Sequence, residues 1–467
     1  MEVEEAFLEN SYMKKNEIVR ISITNYSNDG SGVGRYDGIA VFVPFTAVGD
    51  EIMAKIVKVQ KNYAYAIIDS IIIPSPARID VDCPCFGKCG GCNFRHISYE
   101  EELRAKQQFV VDALRRIGDV NIEVETIIGS PSVDRYRNKV QFPVSSSGNR
   151  MYPAFYQPRS HRPLDTSGSC KLQPELMNLI AADVCDVLSE LGEDSYNEET
   201  RMGNIRHLLI RKSSIDDSVL LCIICRTGKI KNENQFIKRI CALHPQITSI
   251  VLNKNATTGN EIISDEYRVI FGPGYIKDSV AGVPVSITYD SFYQINQEST
   301  ENLYRCVKDF AAVKENEVLI DLYCGSGTIG LSSCDASIHL YGVDVVEKSI
   351  RSAEEAALKM NYQNAQFVLG DSSYLEEMLN KEIRPDVIIT DPPRKGCSPA
   401  VIKSILASKA DRIVMVSCNP ATLARDLKLL IEGGYSVIKA QPVDMFPRTK
   451  HVETIVLLSR AWGETTE

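Results

Sequence analysis

No apolar run in this chain reaches the roughly 18 residues that a membrane-spanning helix needs. A secretory or transit peptide is also missing: the first ten residues, "MEVEEAFLEN", are acidic. The expected location is therefore the cytoplasm. Positive charge is short overall. A formal net charge of −9 argues against a long, non-specific phosphate-binding surface, though not against local basic tracks. Internal repeats and low-complexity stretches are absent. Cysteine density is absent too: the fourteen cysteines are spread along 467 residues, whereas a disulfide scaffold packs them into a short secreted chain. Most lie in apolar segments as small thiols. Cys222 and Cys225 sit in "SVLLCIIC", which reads as a strand, where positions i and i+3 face opposite sides, so this C-x2-C pair reads as structural.

What is there suffices for two or three domains, with 44% hydrophobic and 24% charged residues. Residues 13–72 read as short strands and turns, the pattern of a small OB-like barrel. Aromatic residues (Tyr26, Tyr36, Phe42, Tyr63, Tyr65) and lysines (Lys55, Lys58, Lys61) interleave there. They suit either base stacking with phosphate contact or a barrel core with a solvated face. The run "CPCFGKCGGC" at 83–92 follows, with Cys83, Cys89 and Cys92 at C-x5-C-x2-C spacing and Cys85 extra. Three soft ligands so close suit a metal or a cluster, which needs a fourth. "SYEEELRAKQQFVVDALRRIG" predicts a helix over 98–118, with Ser98 and Glu101 as a capping box. The region 73–285 reads as α+β. Its basic segments hold Arg135, Arg137, Lys139 and His161, candidate phosphate contacts where any one alone would read as a solvated face.

From 286 to 467 strands and helices alternate, as in a doubly wound α/β sheet. "DLYCGSGTIG" follows the first strand. Its Gly325 and Gly327 allow a ligand to approach the backbone. Asp321, Asp344 and Asp371 stand at three strand ends. Three such carboxylates suit S-adenosylmethionine, with its ribose hydroxyls and cationic methionine; another nucleotide is the alternative. "DPPRKG" ends the fourth strand, and Arg394 stands where amine methyltransferases place a base-stacking aromatic. "VSCNP" ends the fifth, setting Cys418 at the lip of the sheet as a candidate nucleophile or a buried structural thiol. Carbon 5 of uracil is a poor nucleophile until a thiolate adds at carbon 6, and a base must then take the carbon 5 proton. Glu453, on an apolar strand face in "HVETIVLLS", is the candidate base; an ion pair with Arg448 or His451 is the alternative.

With these motifs in this order, joined by "YRNKVQF" and "SFYQIN", the chain resembles the RNA (uracil-5-)-methyltransferase family over about 13–460. The likeness is to its iron–sulfur, TRAM-containing branch acting on 23S ribosomal RNA. The resemblance implies a multidomain fold: a TRAM barrel, a central α+β domain with the cluster, and a class I Rossmann-like methyltransferase domain. It implies that Cys83, Cys89, Cys92 and Cys170 hold a [4Fe-4S] cluster, with structural zinc the rival on spacing alone. It implies that Gln294, Tyr323, Asp344 and Asp391 line the S-adenosylmethionine and uracil site, with Cys418 as nucleophile and Glu453 as base. The helix after the cluster would brace the catalytic domain. The implied partner is 23S ribosomal RNA, without a membrane, the chain acting as a monomer. Many of the family's tRNA enzymes lack both barrel and cluster, which favours ribosomal RNA over the tRNA T-loop. Relatives often have Glu at position 344 and Asn-Ala where "EEAALKMN" has Ala-Ala. An assembly factor without turnover would not need the nucleophile and base. A cytosine-5 enzyme would place its cysteine directly after the strand-four prolines, where Arg394 stands.

Overall fold

The computed structural model describes residues 13–166, 168–371 and 373–460. The chain divides into two compact units. One holds the described residues up to Gly87, then Gly91–Phe109 and Arg448–Lys450; the other holds Lys88–Gly90, Val110–Pro447 and the residues from His451 on.

The smaller unit is built on a closed barrel of five strands, β1 (Ile18–Tyr26), β2 (Gly32–Tyr36), β3 (Ile39–Val43), β4 (Glu51–Val59) and β5 (Tyr63–Ile73), in the order β1-β2-β3-β5-β4. Alternation decides which side chains fill it. In β1, Val19, Ile21 and Ile23 point inward beside Ile52, Ala54 and Ile56 of β4. Closure leaves this sheet no edge. Buried Asp50 ties the barrel to the chain that leaves it: its carboxylate accepts from Ser75 N (2.8 Å) and from Arg78 Nε (2.8 Å) and Nη2 (2.7 Å). Helix α1 (Tyr99–Arg116) then begins as the sequence leads one to expect, with Ser98 Oγ accepting from Glu101 N at 3.3 Å. Its first half packs Ala105 and Phe109 with Phe94, Ile97 and Tyr26. The passage between the two units falls within this helix.

The larger unit carries two seven-stranded sheets. The first runs β12-β11-β10-β9-β6-β7-β8. Its strands are β6 (Lys139–Ser147), β7 (Arg150–Tyr156), β8 (Pro163–Asp165), β9 (Ile205–Lys212), β10 (Val219–Cys225), β11 (Ile247–Lys254) and β12 (Tyr267–Phe271). Helices α2 (Glu175–Glu190) and α3 (Glu233–Leu243) accompany it. Every residue of β10 is buried; Cys222 joins one apolar core and Cys225 another, the two-sided arrangement their spacing implies. A hairpin, β13 (Tyr275–Val280) and β14 (Val283–Thr288), leads to α4 (Gln297–Ala311), whose cap Asn296 accepts from Ser299 N.

The second sheet runs β17-β16-β15-β18-β19-β21-β20. Its strands are β15 (Val318–Leu322), β16 (His339–Asp344), β17 (Ala365–Leu369), β18 (Val387–Thr390), β19 (Arg412–Ser417), β20 (Tyr435–Val443) and β21 (Glu453–Arg460). The first five are parallel and interleaved with α5 (Thr328–Ser333), α6 (Glu347–Lys359), α7 (Ser373–Asn380), α8 (Pro399–Ser408) and α9 (Pro420–Glu432). The chain order reverses beside β15, the switch point at which such sheets hold ligands outside their carboxyl ends. The last strand, β21, inserts antiparallel between β19 and β20. Gly118, just beyond α1, lies where a Cβ would come within 3.0 Å of Ala424 O on α9. That close approach sets the chain just beyond α1 against α9.

Candidate active site

The parallel register aligns the carboxyl ends of five strands. Leu322 pairs with Val343 and Thr390, Thr390 with Met415, and Asp344 with Leu369. The residues just beyond these ends therefore gather along one rim.

At the β15 end the chain turns through three left-handed residues, Tyr323 (φ 63°), Gly325 (54°) and Gly327 (73°). A Cβ on Gly327 would stand 2.8 Å from the Phe367 ring and 2.9 Å from Ala353 Cβ, so only glycine fits there. Asp344 shapes this loop, accepting from Gly325 N (3.0 Å) through Oδ2 and from Val346 N (2.8 Å) through Oδ1. Asp321 is wholly buried and accepts from Gly330 N at 2.9 Å, while its Oδ1 has no hydrogen-bond partner among the described residues. Burial pushes its carboxyl up to about 8, and the charges of Asp391 and Asp344 add to the shift. The Tyr323 hydroxyl is raised by burial to about 12, with Cys397 and Asp426 the nearest charges, so this ring faces the loop after β18. Gln294 is half-buried, and its main-chain oxygen accepts from Asn138 Nδ2 (2.9 Å). Asp371 lies exposed just beyond β17. A glycine-lined turn, an orphaned buried carboxylate oxygen and further strand-end carboxylates form a set that fits S-adenosylmethionine.

The candidate nucleophile and base lie at the ends of β19 and β21, beside Asp391 after β18. Ser417 pairs with Thr454, so Cys418 follows and Glu453 precedes that last rung, and the Glu453 charge reaches the thiol. The Cys418 thiol is pushed up to about 11, by burial first and by the Glu453 charge second, with Arg394 opposing. Glu453 is 5% exposed. Burial raises its carboxyl well above the ordinary range, helped by Asp391 and opposed by Arg394. The Asp391 carboxyl is raised by desolvation as well. Two carboxyls and a thiol in one desolvated corner do not all ionise together, which is the condition for proton exchange near neutral pH. The ion pair weighed for Glu453 is not the one the fold makes with Arg448. The Arg448 guanidinium donates to Ile97 O (3.2 Å) and approaches Glu102.

In the sequence Arg394 speaks against amine methylation and against a cytosine-5 enzyme; the fold gives it a further place. Its main-chain oxygen accepts from Asn419 Nδ2 (3.2 Å) and Thr422 Oγ1 (3.3 Å) at the start of α9. That anchorage brings its guanidinium charge to bear on both Cys418 and Glu453, and to 3.5 Å from His451 Nε2. In the sequence His451 stands as an alternative ion-pair partner of Glu453, whereas nothing there sets Arg394 in this corner. The signal was present in "DPPRKG" and "KHVE", each adjoining a candidate residue.

The expected RNA contacts are placed unevenly. Arg135 Nη1 donates to Cys170 O (2.8 Å) and Gln173 O (3.0 Å). Lys139 is desolvated, its ammonium lowered to about 8 by burial and then by Arg211. Arg137 is half-buried, and His161 is exposed against Tyr156, ring centroids 5.6 Å apart. Cys83, Cys85, Cys89, Cys92 and Cys170 are half-buried. Among the described residues no three His, Cys, Asp or Glu side chains are grouped so as to hold a metal ion.

Comparison with known proteins accords with the fold. A model of the tRNA (uracil-5-)-methyltransferase family matches residues 98–461, and one of the TRAM domain matches 13–68. An uncharacterized RNA methyltransferase of Halalkalibacterium halodurans is 40% identical over 448 residues, covering 96% of this chain and 98% of its own. Another from Clostridium tetani is 37% identical over 448 residues, covering 96% and 97%. A crystal structure of the Pyrococcus abyssi tRNA (uracil-54, C5)-methyltransferase, in complex with S-adenosyl-L-homocysteine, superposes with a TM-score of 0.73 at 24% identity. The match covers 94% of this chain and all of that one. With a TRAM barrel ahead of an S-adenosylmethionine-dependent methyltransferase fold, this chain belongs to the tRNA (uracil-5-)-methyltransferase family.

Proposed function

We propose that this protein methylates carbon 5 of a uridine in 23S ribosomal RNA, acting as a cytoplasmic monomer, with Cys418 as nucleophile and Glu453 as base. The observation that carries the reading is the pairing of β19 with β21, which sets thiol against desolvated carboxyl beside the glycine turn. Gln294, Tyr323, Gly325, Gly327, Asp344, Asp371 and Asp391 would line the cofactor and uracil. When bound, S-adenosylmethionine supplies an electrophilic methyl group. The Cys418 thiolate adds to carbon 6, and the displaced π pair makes carbon 5 nucleophilic. After carbon 5 has taken the methyl group, Glu453 accepts its proton. The electrons of that C–H bond re-form the ring double bond, and the carbon–sulfur bond breaks to return the thiolate. Arg394 supplies the positive charge that favours the thiolate. The target must leave its stack to meet Cys418, at a cost of a few kcal/mol.

The test is chemical. Cys418→Ala should abolish methyl transfer and leave cofactor affinity near normal. RNA with 5-fluorouridine at the target should trap the wild type as a covalent adduct. Turnover by the Ala variant, or an adduct on Cys397, overturns the assignment. A tRNA T-loop uridine is the second reading. It is favoured by the Pyrococcus abyssi enzyme, whose match spans 94% of this chain and so takes in most of the barrel region. The barrel by itself therefore does not separate the two RNAs. The proposed [4Fe-4S] cluster on Cys83, Cys89, Cys92 and Cys170 draws its support from cysteine spacing and family resemblance alone.

A further inference from the structure

The connection between β20 and β21 delivers Glu453, and three of its residues, Arg448–Lys450, belong to the smaller unit. They are gripped there at the main chain. Arg448 N donates to Glu102 Oε1 at 2.7 Å, and Arg448 O accepts from Asn93 N (2.8 Å) and Phe94 N (3.2 Å). Lys450 N donates to Asn93 Oδ1 at 3.3 Å. Arg448 is left-handed, with φ 68°, a conformation that a non-glycine residue keeps only where its surroundings over-determine it. Glu102 lies one turn into α1, wholly buried, and its Oε1 also takes Lys106 Nζ at 2.6 Å; Lys106 is equally buried. For packing alone, two apolar side chains would serve as well as or better than a buried ion pair. What an apolar pair could not supply is an acceptor for the Arg448 N–H.

We infer that Glu102 is a positioning residue for the base, fixing the left-handed turn at Arg448 and through it the direction in which the chain enters β21 at Glu453. The inference rests on the reading of Glu453 as the proton acceptor. Proton transfer needs the base within hydrogen-bond reach, and a displacement of about 1 Å can cost about 100-fold in rate. Methyl transfer precedes proton removal. A misaimed base should therefore stall the enzyme after methylation, with substrate binding untouched.

The experiment compares two double variants that both remove the Lys106 charge, so that neither strands a buried ammonium. Glu102→Met/Lys106→Met replaces the ion pair with apolar side chains of similar length. Glu102→Gln/Lys106→Met keeps a carbonyl acceptor for Arg448 N. The first should lose about 10- to 100-fold in kcat, with KM for RNA within about twofold. It should also accumulate thiol-linked, already methylated RNA. The second should recover most of the rate and show little adduct. Equal behaviour of the two, or wild-type kcat in the first, overturns the inference. Should the first fail to fold, Glu102→Leu/Lys106→Leu, which also removes the acceptor without stranding the ammonium, decides: a higher adduct fraction than wild type supports the inference, and a wild-type adduct fraction sinks it. Glu453→Gln is the control. No methylated adduct in that variant overturns the base assignment itself; adduct there but none in Glu102→Met/Lys106→Met overturns the positioning role only.

Discussion

At the scale of single residues, Arg394 has the sharpest consequence. Its charge opposes the upward shifts of both Cys418 and Glu453. Removing it should raise both, leaving less thiolate and a more protonated base at any pH below their ionisation. Activity should therefore climb with pH across the neutral range in the wild type. Arg394→Gln should move that limb to higher pH by roughly one unit, which is at least about a tenfold loss at pH 7 that narrows only as pH nears the Cys418 value of about 11. A pH–rate profile under single-turnover conditions checks this, and an unshifted profile with uniformly lower activity would leave Arg394 only a binding role. The placement of Cys418 and Glu453 at strand ends is legible in the sequence, because each ends or begins a strand within a short motif. That of Arg394 is not, because it depends on a turn held by Asn419 and Thr422 of another element.

At the scale of elements, the glycine turn after β15 is the least tolerant piece of backbone. Gly327→Ala meets two obstacles together: a left-handed φ and contacts under 3 Å with Phe367 and Ala353. We expect a loss of about 1–3 kcal/mol in stability and weakened S-adenosylmethionine affinity. Thermal melts with and without cofactor would read both. An alanine variant that melts and binds like wild type would contradict the geometry. The cysteine loop makes its own claim. If the spacing of Cys83, Cys89, Cys92 and Cys170 marks a cluster, anaerobically prepared protein should contain about four iron and four sulfide per chain. Ser at any of the four should remove colour and solubility together, whereas Ser at Cys85, Cys222 or Cys225 should not. Stoichiometric zinc without iron would overturn it. The strand–helix alternation and the capped start of α1 could be read in advance, since local periodicity and one capping pair decide them. The insertion of β21 between β19 and β20 could not. Nothing local distinguishes an antiparallel neighbour from a parallel one, yet that insertion sets Glu453 against Cys418.

At the scale of the whole molecule the question is which RNA is gripped, and by what. The net charge of −9 leaves little general attraction for phosphate, so contact must be local. Arg135 is committed to carbonyl oxygens and Lys139 is desolvated, which shifts weight from the central segments to the barrel. There Phe42, Tyr63 and Tyr65 form a three-ring cluster with centroids 5.5–5.8 Å apart. Tyr63 is 37% exposed, and Lys58 and Lys61 stand exposed nearby in the chain. Of the two sequence readings of the interleaved aromatics, the stacking platform suits this cluster, because these rings lie outside the apolar barrel core. Base stacking on an aromatic is worth about 1–3 kcal/mol per base, with little dependence on sequence. Replacing Phe42, Tyr63 and Tyr65 together by alanine should therefore weaken RNA binding by at least tenfold. It should leave the salt dependence nearly unchanged, since no phosphate contact is lost. Lys58→Gln/Lys61→Gln should do the reverse, flattening the slope of log affinity against log salt by about one unit per contact removed. Both variants should keep S-adenosylmethionine affinity, since the cofactor set lies in the larger unit. Offered to the wild type at one salt concentration, protein-free 23S RNA fragments should be methylated in preference to unmodified tRNA. Methylation of tRNA alone would move the substrate to the T-loop, and unchanged binding by the triple variant would return the barrel aromatics to a purely structural part.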